Sequence, residues 1–244
     1  MAHIETHASI SLDSPVLVEG LPGVGLVGKL AADHLVEHLD MTYYGSCHCE
    51  GIPRVAVYEE GDPTIRPPVR LYADEQRDLL VLQADVPISA RAVPEFATCV
   101  TGWLGDNDVT PLYLSGIAEE KDEVPSMYGI ATGDGTELLP DYDIDLPTEN
   151  GMVSGPTGAL LAEADEQGLD SVGLIVQANP QFPDPEAART LLMDGVEPIA
   201  DIEIDTDKLV EQADQVAKAR ERLAKQMQEA NEESTRAQPL GMYQ

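Results

Sequence analysis

One stretch, Gly20-Leu21-Pro22-Gly23-Val24-Gly25-Leu26-Val27-Gly28-Lys29, constrains the architecture of this chain most. The apolar run Val16-Leu17-Val18 precedes it. A helical pattern follows from Leu26 to Leu39, with Leu26, Leu30, Leu35 and Leu39 at helical spacing. A strand that turns on glycines into a helix is an α/β connection. Gly23, Gly25 and Gly28 fit the Gly-x-Gly-x-x-Gly phosphate turn, with Lys29 nearby and Glu50 as a candidate ribose-binding acid. The same glycines equally suit a tight connection in which strand and helix backbones approach closely. The first reading leads to a nucleotide-dependent enzyme, the second to a protein that binds another protein.

Short apolar runs alternate with helical patterns further on. Strands are expected at Met41 to Cys49, Val55 to Tyr58, Val69 to Tyr72, Leu79 to Leu82, Thr110 to Ser115, Met127 to Thr132 and Val172 to Gln177. Helices are expected at Pro94 to Leu104, at Thr157 to Gln167 with Gly168 as the stop, and at Pro185 to Met193 with Asp184 as cap. Gly133 to Pro147 reads as a loop. Strands separated by helices favour an α/β fold with a mainly parallel sheet covered on both faces. Asp207 to Ala230 reads as one long helix, with Leu209, Ala213, Val216, Leu223, Met227 and Ala230 on three-and-four spacing. That stripe fits packing on its own domain and packing in an oligomer equally well. The expected division is an α/β domain over 1–206, the helix over 207–230 and a flexible tail over 231–244.

Charge narrows the setting. The 244 residues carry 45 Asp and Glu against 14 Lys and Arg, a formal net charge of -31. The acids are spread through a chain that keeps apolar strand-like runs, which fits a folded protein adapted to molar salt, where self-repulsion is screened. No basic stripe is present to displace phosphate counterions, so nucleic acid is disfavoured as a partner. No apolar run is long enough for a bilayer, and Met1-Ala2-His3-Ile4-Glu5 does not resemble a secretory signal. Cys47, Cys49 and Cys99 form a sparse, odd set suited to a reducing interior, so a cytoplasmic protein without membrane partners is expected.

Candidates for chemistry are weak. In Cys47-His48-Cys49 a strand would put the two thiols on one face and His48 on the other, and a standard zinc spacing is absent. His34 and His38 are four apart but sit among acids, as on a solvated helix face. Ser115 and Ser154 lie outside any Gly-x-Ser-x-Gly context. Glu59-Glu60 and Glu119-Glu120 match the general acidic surface, and Trp103 suits helix-end core. No catalytic residue, metal or cofactor is expected.

Three motifs carry a resemblance. Gly20 to Gly28, Gly155-Pro156-Thr157-Gly158-Ala159-Leu160-Leu161 and Pro183-Asp184-Pro185-Glu186-Ala187-Ala188 together resemble the proteasome assembly chaperone 2 family, over about residues 15 to 210. The resemblance implies a three-layer, phosphorylase-like α/β domain, self-association, and proteasome assembly or binding. Some relatives carry an ATP-grasp-like ligase label, the source of the alternative enzyme reading, but no second nucleotide-clamping domain is evident. The chain ends Met242-Tyr243-Gln244. A hydrophobic residue, Tyr, any residue and then the terminal carboxylate is the pattern with which proteasome activators dock between α-ring subunits. Met242, Tyr243 and Gln244 are therefore the expected partner-binding residues, and the proteasome α-ring and further copies of the chain are the expected partners.

Overall fold

The segment Leu79–Ala84 is apolar except for Gln83 and every residue in it is buried, which suits a strand covered on both sides. The computed structural model describes residues 2–58, 60–119, 124–219 and 222, and places this segment within an eight-stranded sheet. The strands are β1 (His3–Thr6), β2 (Val16–Gly20), β3 (Thr42–His48), β4 (Val69–Asp74), β5 (Leu79–Ala84), β6 (Thr110–Ala118), β7 (Met127–Thr132) and β8 (Ser171–Ala178). Their spatial order is β1-β3-β4-β5-β2-β6-β8-β7.

Helices cover both faces. On one side lie α1 (Val27–His38) and α5 (Pro185–Thr190), the latter continuing through a π-helical turn, Leu191–Val196, into α6 (Glu197–Ala200). Their side chains share a core with Val18, Val81, Leu114 and Val176. On the other side α2 (Val93–Asp106) and α4 (Gly155–Gln167) pack through Phe96, Val100 and Leu160 against Leu17, Leu80, Leu82 and Tyr113. A short helix, α3 (Gly135–Asp141), lies against β7, and residues 207–219 form a last helix, α7.

The sheet is not mainly parallel. Four of its seven ladders are antiparallel (β1/β3, β3/β4, β4/β5 and β7/β8). Parallel pairing is confined to the centre, where β2 lies between β5 and β6 and β6 pairs with β8. Connectivity accounts for the meander: no helix separates β3, β4 and β5, so each reverses direction, whereas β5 reaches β6 through α2 and the two run parallel. β7 and β8 are antiparallel although α3 and α4 lie between them.

Three local expectations also change. Val55 to Tyr58 is not a strand; only Val57 bridges, to Arg66, because Pro53, Pro63, Pro67 and Pro68 crowd the segment and remove ladder donors. Gly133 to Pro147 contains α3, which buries Leu139. β1, a four-residue edge strand with little burial, has too weak an alternation to stand out in the sequence. The expected cap does form: the Asp184 carboxylate accepts the Ala187 amide at the start of α5. The long C-terminal helix is described only as far as residues 207–219 and 222; the rest of 220–230 and the tail lie outside the described residues.

Candidate functional site

The glycine turn leaves the carboxyl end of β2 and enters α1. A Cβ at Gly20 would stand 2.0 Å from the Ala32 Cβ, so only glycine lets the helix lie this close to the strand. Gly25 has φ +61, and a Cβ there would meet the Ala178 Cβ at 3.0 Å. Its carbonyl accepts the Asp184 amide at 2.8 Å, tying the turn to the start of α5. The turn is thus packed against β8 and α5. Lys29 is held by Asp33 at 2.9 Å and Asp85 at 3.1 Å, and Asp85 also meets the buried Arg70 at 2.6 Å. The cation beside the turn is already neutralised by two carboxylates. Glu50 instead lines a cavity of about 930 Å³ under the 49–68 segment, with Cys47, His48, Arg54 and Ile65.

Beside the turn sits a residue that sequence reasoning passed over. Glu19, in the apolar run Val16–Gly20, is fully buried. Its carboxylate accepts the Leu21 amide at 3.3 Å, the Leu114 amide at 3.1 Å and the Thr157 hydroxyl at 3.0 Å. Burial pushes its pKa up to about 8, partly offset by those three donors. Tyr113, its register partner on β6, is raised by burial and then by the Glu19 charge. The visible signal was an acid within a strand otherwise buried on both faces. At this depth the carboxyl joins β2, β6 and α4 and meets no solute.

The other candidates separate. Cys47 and Cys49 face the α2 side while His48 points to the opposite face, as strand alternation requires. A hydrogen bond to Cys99, and then burial, push the Cys47 thiol up. The histidines of α1 are not both on a solvated face. His34 is 6% exposed, its Nε2 lies 2.7 Å from the Asp205 carbonyl, and burial lowers its pKa. The Asp205 amide donates to His38 Nε2 at 3.4 Å. The approach of the 201–206 segment buries His34, a contact that helical periodicity alone does not reveal. Ser154 precedes α4 without a capping hydrogen bond, and Ser115 lines a cavity of about 560 Å³ with Gly116, Tyr128, Met152 and Gln177. Trp103 packs at the core edge against Tyr44.

Exposed large apolar side chains include Tyr58 and Ile65 in the 49–68 segment, Val124, Leu146, and Met152, which lines the 560 Å³ cavity. The α7 stripe begins buried at Leu209 but is only half-covered at Ala213 and Val216, with the intervening positions exposed. Met242, Tyr243 and Gln244 lie outside the described residues. Among the described residues no helix is long and apolar enough to cross a membrane.

The sequence matches the PAC2 family over residues 17–224. The chain belongs to the PAC2 family. This PAC2 protein is 28% identical over 235 residues to the uncharacterized protein MJ0106 of Methanocaldococcus jannaschii, covering 96% of this chain and 95% of the relative. Its fold is similar to that of Pyrococcus furiosus PbaA, an archaeal homolog of proteasome-assembly chaperone (TM-score 0.78, 25% identity, 95% of this chain and 96% of PbaA). It also shares its fold with Pyrococcus furiosus PbaB, an archaeal proteasome activator (TM-score 0.74, 21% identity, 91% of this chain and 98% of PbaB).

Proposed function

We propose that this PAC2 protein is a proteasome assembly chaperone or proteasome-binding adaptor. It works as a homo-oligomer and docks Met242, Tyr243 and Gln244 into pockets of the proteasome α-ring. The observation that carries the reading is the family match combined with the likeness to PbaA across nearly the whole of both chains. The absorption of the glycine turn into packing, with Lys29 paired to Asp33 and Asp85, supports a binding protein over a nucleotide enzyme. The acidic surface supports a salt-adapted cytoplasmic setting.

In this reading residues 1–206 are the body, 207–230 the helix that joins copies, and 231–244 the tether. The half-covered stripe at Ala213 and Val216 supports the joining role. A tail of fourteen residues reaches at most about 50 Å. Burying the 150–250 Å² of a Tyr contributes roughly 4–6 kcal/mol gross, and much of that is offset by ordering the tail. A single tail therefore binds weakly. Several tails on one oligomer, facing repeated pockets, bind well through effective concentration.

The test compares the intact chain with Tyr243→Ala and with a chain lacking Gln244, measuring association with the proteasome α-ring. Both changes are expected to reduce binding by at least tenfold. Because apolar contacts escape screening while repulsion between acidic surfaces does not, intact-chain binding is expected to tighten from low to molar salt. Unchanged association in both variants refutes the anchor. Steady weakening as salt rises, with the fold intact, refutes the apolar account of it.

A further inference from the structure

The edge ladder between β1 and β3 brings together side chains far apart in sequence. His3 stands opposite His48, and Glu5 opposite Ser46, in an antiparallel register. Ile4 and Cys47, the alternate pair, face the α2 side and pack into the core there. His3, Glu5, Ser46 and His48 therefore share the other face of the pleat. The two imidazoles stack with centroids 5.1 Å apart, and His48 Nε2 lies 3.7 Å from a Glu5 carboxylate oxygen. One ligand atom from each of His3, Glu5 and His48 lies within 4.8 Å of the other two.

We propose that His3, Glu5 and His48 form a zinc site that clamps the edge strand β1 to β3. Two imidazole nitrogens and one carboxylate oxygen are a donor set zinc accepts, with a fourth position left for water. Tetrahedral zinc at 2.0–2.2 Å from its ligands needs them about 3.3–3.5 Å from one another. The His48 to Glu5 separation is close to that already, and small side-chain rotations on an exposed face supply the rest. The Ser46 hydroxyl, 2.9 Å from both His48 Nε2 and His7 Nε2, gives up its contact with His48 on metal binding and keeps the one with His7. The α1 histidines are the natural comparison. His34 and His38 also stack, 5.5 Å apart, but the Nε2 of each is engaged by the backbone of Asp205. Among the described residues, the β-ladder pair has a carboxylate oxygen grouped with both imidazoles within 4.8 Å, and the α1 pair does not.

The site has a physical consequence. β1 is hydrogen-bonded on one side only, to β3, and its four residues bury little. A metal bridging the two strands adds a cross-link at the end of the sheet and stabilises the folded chain by mass action.

The test is zinc titration of the full chain by calorimetry in molar KCl with excess magnesium, which occupies all-oxygen sites and binds imidazole poorly. Saturable binding of one zinc per chain is expected. Zinc is also expected to slow hydrogen exchange at the amides of residues 3–6 more than at α1. His48→Ala and Glu5→Gln, with the fold checked by circular dichroism, are expected to weaken zinc binding at least about tenfold, while His38→Ala leaves it unchanged. Several weak ions per chain with no saturable site, wild-type affinity in His48→Ala, or loss of binding in His38→Ala overturns the proposal.

Discussion

Glu19→Gln exposes how a buried acid couples folding to pH. Glu19 is fully buried, and its pKa rises from 4.5 to about 8. At 1.36 kcal/mol per pH unit this shift is worth about 5 kcal/mol. The folded chain holds a proton that the unfolded chain releases between these two values. The stabilising contribution is therefore complete below pH 4.5 and is lost as pH rises through 8. Gln carries no titrating proton, but its amide N–H group faces the Leu114 amide that now donates to Glu19, at a cost of about 1–3 kcal/mol. Near pH 5 the native chain should be the more stable of the two. Above pH 8 the order should reverse, because the native chain must then bury a carboxylate or unfold. The assay is urea unfolding of both chains in molar KCl from pH 5 to pH 9, where the surface acids contribute equally to each. A stability difference that stays constant across that range refutes the account of Glu19 as a buried proton carrier.

Two further substitutions test the packing that positions the turn. Gly20→Ala drives a methyl group into Ala32, where the Cβ separation would be 2.0 Å, and should cost about 3 kcal/mol of unfolding free energy in urea titration; a loss under about 0.5 kcal/mol contradicts the close approach. Asp184→Ala removes the carboxylate that accepts the amides of Ala187 and Asn179 and should cost about 2 kcal/mol, with faster hydrogen exchange at the start of α5; unchanged exchange there contradicts the cap.

What the sequence alone determined is local. The apolar runs that became β2, β3, β5 and β8, the helical spacings of α1 and α2, the Gly168 stop and the Asp184 cap each depend on residues within a turn or two of one another. The alternation that turns Cys47 inward and His48 outward has the same origin. The acidic balance and the terminal Met242-Tyr243-Gln244 pattern are likewise properties of the chain as written. Tertiary structure decided the rest. Placing β5 and β6 on either side of β2, with the antiparallel meander outside β5, is a choice among distant pairings that period-two patterning does not distinguish. Glu19 becomes a proton-holding group only because distant segments bury it, against the opposing pull of the Thr157 hydroxyl from α4, and His34 is buried only because the 201–206 segment lies against α1. His3 and His48 meet only through the β1/β3 register. Backbone propensity and hydrophobic period act over a few residues, whereas burial, shifted titration and ligand clusters arise where distant segments exclude water together.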